Sequence, residues 1–176
     1  MLRSPNLQEL TQLRRSFDRW GIFAFMESQK LVINYDTVVR KREVLVSTDA
    51  LLDTLSKVTL QPDEMGLAIG QIRNKKFIPS LSGAEIIAKH STRFPYVMIN
   101  ETGEALVLYG RDIFGDSVKE VSKGLDQNQT AIILNQNRES IGIGQTRFSE
   151  ENLFKKGEVT VYTTVDAGIY LRNQSD

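Results

Sequence analysis

Residues 105–118, ALVLYGRDIFGDSV, decide how the second half of this chain is read. Ala105-Leu106-Val107-Leu108 is a short apolar run of the kind found in buried strands. Tyr109-Gly110-Arg111 breaks it, since glycine adopts backbone angles that other residues avoid. Asp112-Ile113-Phe114 leaves room for about one helical turn. Gly115-Asp116 then turns the chain into a second strand starting at Val118. The expected order is strand, glycine break, short helix, turn, strand.

Around this stretch, Tyr96–Ile99, Val118–Val121, Thr130–Leu134, Ser140–Gly144, Val159–Val165 and Ile169–Leu171 read as strands. Turn residues separate them at the spacing of a small barrel. Only Arg111–Phe114 and Ser149–Phe154 look helical. Phe114, Tyr162 and Tyr170 read as core side chains rather than as rings that stack on bases.

Before Phe94-Pro95 the texture differs. Ser4-Pro5 looks like a helix start, and Leu7, Leu10, Leu13 and Phe17 recur at helical spacing up to Trp20-Gly21, where glycine can cap. Ile22–Met26, Lys30–Tyr35 and Glu43–Ser47 read as strands. Thr48-Asp49 can cap a helix carrying Leu51, Leu52, Leu55 and Val58, which Gln61-Pro62-Asp63 ends. Strands through Leu67–Ile72 and Phe77-Ile78 flank a turn at Asn74-Lys75, and a third helix starts at Ser80 or Ser82. Helices and strands mix without regular alternation, so the fold class is α+β. An N-terminal domain, residues 1–94, has mainly antiparallel strands and about three helices; a small β-barrel, residues 95–176, follows.

Charge divides with these halves. The chain has 22 Lys/Arg and 22 Asp/Glu, but residues 1–94 hold 14 and 10 of them and residues 95–176 hold 8 and 12. The basic groups of the first half cluster as Arg14-Arg15, Arg40-Lys41-Arg42, and Arg73 with Lys75-Lys76. The absence of cysteine excludes disulfides, thiolate metal sites and cysteine nucleophiles. His90 is the only histidine, which excludes two-histidine acid–base chemistry and His-rich metal sites; it reads as a surface residue at a helix end. Gly142-Ile143-Gly144 lacks the third glycine of a nucleotide loop and reads as close backbone packing or a bulge in a strand. No nucleophile elbow, calcium loop or Walker lysine is present. No apolar run approaches bilayer length, and the N-terminus has no secretory h-region. The expectation is a non-enzymatic, cytoplasmic protein (nucleolar in a eukaryote) without cofactor, metal or membrane partner.

Several landmarks together resemble a PUA domain, a small RNA-binding module. They are Gly103-Glu104 leading into Ala105–Gly110, the Gly115-Asp116 turn, Ile141–Gly144, Ser149-Glu150-Glu151 and Asp166–Arg172. Leu108-Tyr109-Gly110 and the ending Asp166-x-Gly168-x-Tyr170-x-Arg172, behind an α+β half of this length, resemble the Nip-seven family of large-ribosomal-subunit biogenesis factors. That resemblance implies pre-ribosomal RNA and other assembly factors as partners, without catalysis. It further implies that uridine-rich single-stranded RNA is bound by basic residues of the PUA domain. The segment Glu158–Thr164 contains no Lys or Arg, a departure from the family's basic positions. The candidate RNA-binding residues are Tyr109, Gly110, Arg111, Arg147, Lys155, Lys156 and Arg172. The competing reading is a protein–protein adaptor or scaffold, with the basic α+β half docking an acidic partner.

Overall fold

In the computed structural model the described residues are 1–57, 62 and 65–172. Val58, and Gln61 and Asp63 of the expected break, lie outside them, as does the Leu55 side chain. The chain forms two compact units, Met1–Gly83 and Ala84–Asp176. The division falls inside a helix, α4 (Leu81–His90).

The first unit is a five-stranded antiparallel sheet in chain order: β1 (Leu2–Arg3), β2 (Lys30–Asp36), β3 (Lys41–Ser47), β4 (Leu67–Arg73) and β5 (Lys76–Pro79). Helices α1 (Leu7–Arg19), α2 (Phe23–Glu27) and α3 (Asp49–Lys57) complete it. Asn74 and Lys75, both with positive φ, make the tight β4–β5 turn. Helix α1 starts later than Ser4-Pro5 indicates. Asn6 is its N-cap, because Glu9 three residues on completes a reciprocal capping box. It ends in a Schellman motif: Gly21, at φ 68°, donates to the Asp18 carbonyl and Ile22 to the Phe17 carbonyl. Ile22–Met26, expected as a strand, is mostly the short helix α2, since Ile22 and Met26 are buried four residues apart on one side.

Glu9 is almost wholly buried and takes both arms of the Arg3 guanidinium at 2.7 Å. That bond holds the Glu9 carboxyl below its ordinary range, against the opposing effect of burial. Glu9→Ala removes both the buried partner and the capping box, and is expected to cost about 2–4 kcal/mol at neutral pH. The pair's stabilisation is complete above the unfolded carboxylate pKa of about 4.3 and is lost as pH falls below it. Urea midpoints should therefore separate wild type from variant at pH 7, and the gap should shrink as pH falls below the ordinary carboxylate range. A gap undiminished at low pH would contradict the assignment.

The second unit is built on a six-stranded sheet ordered β7-β11-β10-β9-β6-β8. Its members are β6 (Tyr96–Ile99), β7 (Ile113–Phe114), β8 (Val118–Val121), β9 (Thr130–Leu134), β10 (Ser140–Thr146) and β11 (Val159–Asp166). All neighbours are antiparallel except β6 and β9. The sheet curls into a near-barrel around Val97, Ile99, Ile133, Leu153 and Val161, with α5 (Glu101–Leu108) adding Val107 to the same core.

Helix α5 corrects the reading of Ala105–Leu108 as a strand. Asn100 caps its start by accepting from the Gly103 amide at 2.9 Å, and Glu101 and Glu104 complement the first turn. Its end is a second Schellman motif, with Gly110 (φ 72°) donating to Val107 and Arg111 to Leu106. The glycine break is thus a helix cap, and the residues after it, Ile113-Phe114, form a strand rather than the expected helical turn. Gly115–Ser117 is one 3-10 turn, as is Glu150–Asn152 within the expected helix at Ser149–Phe154. Ile169–Leu171, expected as a strand, belongs to a helical turn, α6 (Ile169–Arg172).

Candidate nucleic-acid interface

The seven candidate residues do not form one site. They divide between the two ends of β11, which are about 23 Å apart at roughly 3.3 Å per residue.

At the Asp166 end, Arg172 is committed to the fold. Its guanidinium pairs with both Asp166 oxygens, at 2.9 and 3.0 Å, and also donates to the Leu108 carbonyl at the end of α5. The Asp166 hydrogen bonds raise the Arg172 pKa further. Gly168 lies against the same carbonyl: a Cβ there would stand 1.8 Å from Leu108 O. A Cβ on Gly110 would come within 3.4 Å of the Arg172 guanidinium. Leu108-Tyr109-Gly110 and Asp166–Arg172 are therefore two halves of one clamp. Tyr109 and Tyr170 project from it, 76% and 64% exposed, so Tyr170 is not the core side chain expected. Arg111 is exposed, while its backbone carbonyl and the Asp112 carboxylate both bind Thr163 in β11 at 2.9 Å.

At the Val159 end, cations and aromatic rings converge. Arg147 donates from its amide to the Thr160 carbonyl and from its guanidinium to the Val159 carbonyl. Its guanidinium lies 5.1 Å from the Phe148 ring centroid and the Lys155 ammonium 4.7 Å from the same centroid. Phe148 is half buried against the barrel core, so one ring holds two cations at the surface. The Lys155 loop is fixed from below. A Cβ on Gly115 would come 2.1 Å from the Lys155 carbonyl oxygen, and the Asp116 carboxylate accepts from the Gly157 amide at 2.6 Å. The Gly115-Asp116 turn thus seats Lys155 and places exposed Lys156 beside it.

The aromatic neighbours depart from the sequence expectation. Phe114 and Tyr162, expected in the core, are 41% and 43% exposed, and Phe154 is also exposed. Phe114 pairs with Val159 at the start of β11, and Tyr162, three residues further along β11, pairs with Gln145, two residues before Arg147. The outward phase is signalled by Val159-x-Val161-Tyr162: Val161 is fully buried, which sends the next side chain out. Bulges in β11 then obscure the phase. At Thr160 and Thr164 the register with the neighbouring strands shifts, burying Thr160 and exposing Val165. Gly142-Ile143-Gly144 is the close-packed strand expected, its glycines lying against the Val165 and Tyr162 carbonyls of β11. His90 is exposed at the end of α4. No helix among the described residues is long and apolar enough to cross a membrane.

Comparison with known proteins matches residues 95–175 to the UPF0113 PUA domain. A UPF0113 protein of Archaeoglobus fulgidus is 32% identical over 174 residues, spanning 98% of this chain and 95% of its own length. Two solved structures share the fold over nearly the whole chain. A hypothetical protein of Pyrococcus horikoshii superposes with a TM-score of 0.68 at 10% identity over 95% of each chain. A conserved PUA domain protein of Thermoplasma acidophilum gives 0.64 at 12% identity over 100% of each.

Proposed function

The chain belongs to the UPF0113 family, and from that premise we propose that it is a non-enzymatic RNA-binding protein of large-subunit ribosome assembly that holds uridine-rich single strands on its PUA domain. The observation carrying this reading is the Val159 end of β11. There Arg147 and Lys155 share the Phe148 ring, Lys156 stands alongside, and Phe114, Phe154 and Tyr162 offer exposed rings. Cations bind phosphates without regard to sequence, and aromatic faces stack on unpaired bases; single-strand binders combine the two. The assembly role rests on the resemblance carried by Leu108-Tyr109-Gly110 and Asp166–Arg172. This reading leaves out Arg172, whose charge is paired with Asp166, and Tyr109 and Gly110, which stand at the far end of β11.

Filter binding of oligouridylate tests the site. Lys155→Glu with Lys156→Glu should weaken binding at least tenfold, and Tyr162→Ala by about the 1–3 kcal/mol of one stacked base. Arg172→Gln should leave affinity unchanged in protein that remains folded. Unaltered binding by the first two variants would remove this surface from the proposal.

One observation favours the adaptor reading as the alternative. Val38 and Val39 project at the tip of the β2–β3 hairpin, with Asp36 ordering their amides and Arg40-Lys41-Arg42 following. Aliphatic side chains do not stack on bases, so a tip of this kind fits an apolar pocket on a protein.

A further inference from the structure

The first unit carries a basic surface that the PUA reading does not use. Arg15 and Arg19 are one helical turn apart on α1, on the side of the helix that also carries Ser16. The Ser16 hydroxyl accepts from the Phe77 amide of β5 at 3.1 Å, and the Phe17 and Phe77 rings meet edge-on at 5.2 Å. These contacts lay that side of α1 against β5. Lys76 immediately precedes Phe77, Arg73 is its pairing partner across the hairpin, and Lys75 forms the turn between them. Two basic runs about sixty residues apart in sequence are thereby brought to one corner. All five side chains are exposed, and none is in an ion pair among the described residues. Asp18 is the acidic residue on the same stretch of helix.

Resting on the RNA-binding reading above, we propose that this corner, Arg15, Arg19, Arg73, Lys75 and Lys76, is a second RNA contact that takes the phosphate backbone without reading bases. The neighbouring rings, Trp20 and Phe77, are buried. The corner therefore has charge but neither a stacking platform nor the aromatic anchor around which protein interfaces are organised. Phosphate recognition needs only what is present: guanidinium forks and ammonium groups spaced along one surface.

The test is a salt titration of the full chain with labelled oligouridylate and with oligoadenylate of equal length. Replacing Arg15, Arg19 and Lys76 by Gln should reduce the magnitude of the slope of log K against log[salt] by about 2, at about 0.7 for each phosphate no longer neutralised. The reduction should be the same for both homopolymers. A parallel Arg15→Glu, Arg19→Glu, Lys76→Glu variant should show a larger fall in affinity, and circular dichroism melts identify folded protein in each case. An unchanged slope in folded variants that still bind RNA overturns this contact and leaves the PUA site standing. Loss of binding to polyglutamate with RNA binding intact assigns the corner to an acidic polypeptide instead. Absence of RNA binding by the wild-type chain removes the PUA reading, and this contact with it.

Discussion

Gly115→Ala is expected to be among the most damaging single-methyl additions in the second unit. The new Cβ would stand 2.1 Å from the Lys155 carbonyl oxygen and 2.7 Å from its amide nitrogen, both backbone atoms that no rotamer change can move aside. The Gly115 amide also donates to the Glu158 carbonyl at 3.0 Å, so the turn cannot retreat without breaking that bond. A forced separation of two packed backbone segments costs about 2–4 kcal/mol. Urea unfolding should show it as a lower midpoint with an unchanged slope. Oligouridylate affinity should fall as well, since the displaced loop carries Lys155 and Lys156. Stability within 0.5 kcal/mol of wild type, roughly the range of neutral surface changes, would mean that the turn does not seat the loop. Gly124, with open space around its Cβ position, provides the control for a glycine whose constraint is φ alone.

The second large effect is at Ile133. It is fully buried in β9, and its Cδ1 lies 3.3 Å from where a Cβ would sit on Gly142 and the same distance from that on Gly144. The side chain fills the notch that the two glycines leave in β10. Ile133→Ala therefore empties a space that close-packed backbone prevents from collapsing, and about 3–5 kcal/mol should be lost. Ile133→Val, retaining most of the volume, should cost about 1 kcal/mol. Equal losses for the two variants would argue against a filled notch. Gly144→Ala has no easy relief either, because its Cβ would meet a Val161 methyl at 2.6 Å and the Tyr162 carbonyl at 2.9 Å.

The two Schellman motifs show what can be read from sequence and what cannot. Trp20-Gly21 is legible as a helix end because four apolar residues at helical spacing precede it. Tyr109-Gly110 ends α5 by the same hydrogen bonds, yet the preceding Ala-Leu-Val-Leu is too short to display a period, and a short apolar run fits strand and buried helix alike. The signals that identify the helix are Asn100 at the cap and Glu101 and Glu104 in the first turn. Likewise, residues 111–114 read as a helical turn because the pairing partner of β7 lies some forty-five residues later, in β11. The barrel strands from Thr130 onward alternate or bury strongly enough to be placed directly. The order of PUA landmarks is recognisable despite these misassigned elements, because residues such as Gly115, Gly168 and Arg172 are fixed by tertiary contacts rather than by local propensity.

The candidate site is only half legible. Arg147 and Lys155 meet on the Phe148 ring, but Phe114 and Tyr162 read as inward because their strands' bulges and partners are not visible in a single chain of letters. Arg172 reads as a contact because an arginine closing an expected strand looks free. Asp166, six residues earlier, binds it with both oxygens.

The clamp between Leu108 and Arg172 also has a consequence in time. A ribosome delivers this chain from its N-terminus, and helix α5, β7 and the Gly115 turn emerge well before their partners. The sheet neighbour of β7 is β11, the turn docks on Lys155, and the end of α5 is tied by Gly168 and Arg172. Val107 can already pack on Val97, Ile99 and Ile133, but the cover that Leu153 and Val161 give this core comes only with those later residues. The sheet order leaves β7 joined to the rest of the second unit's sheet only through β11, so that part of the barrel is completed last as the chain is made.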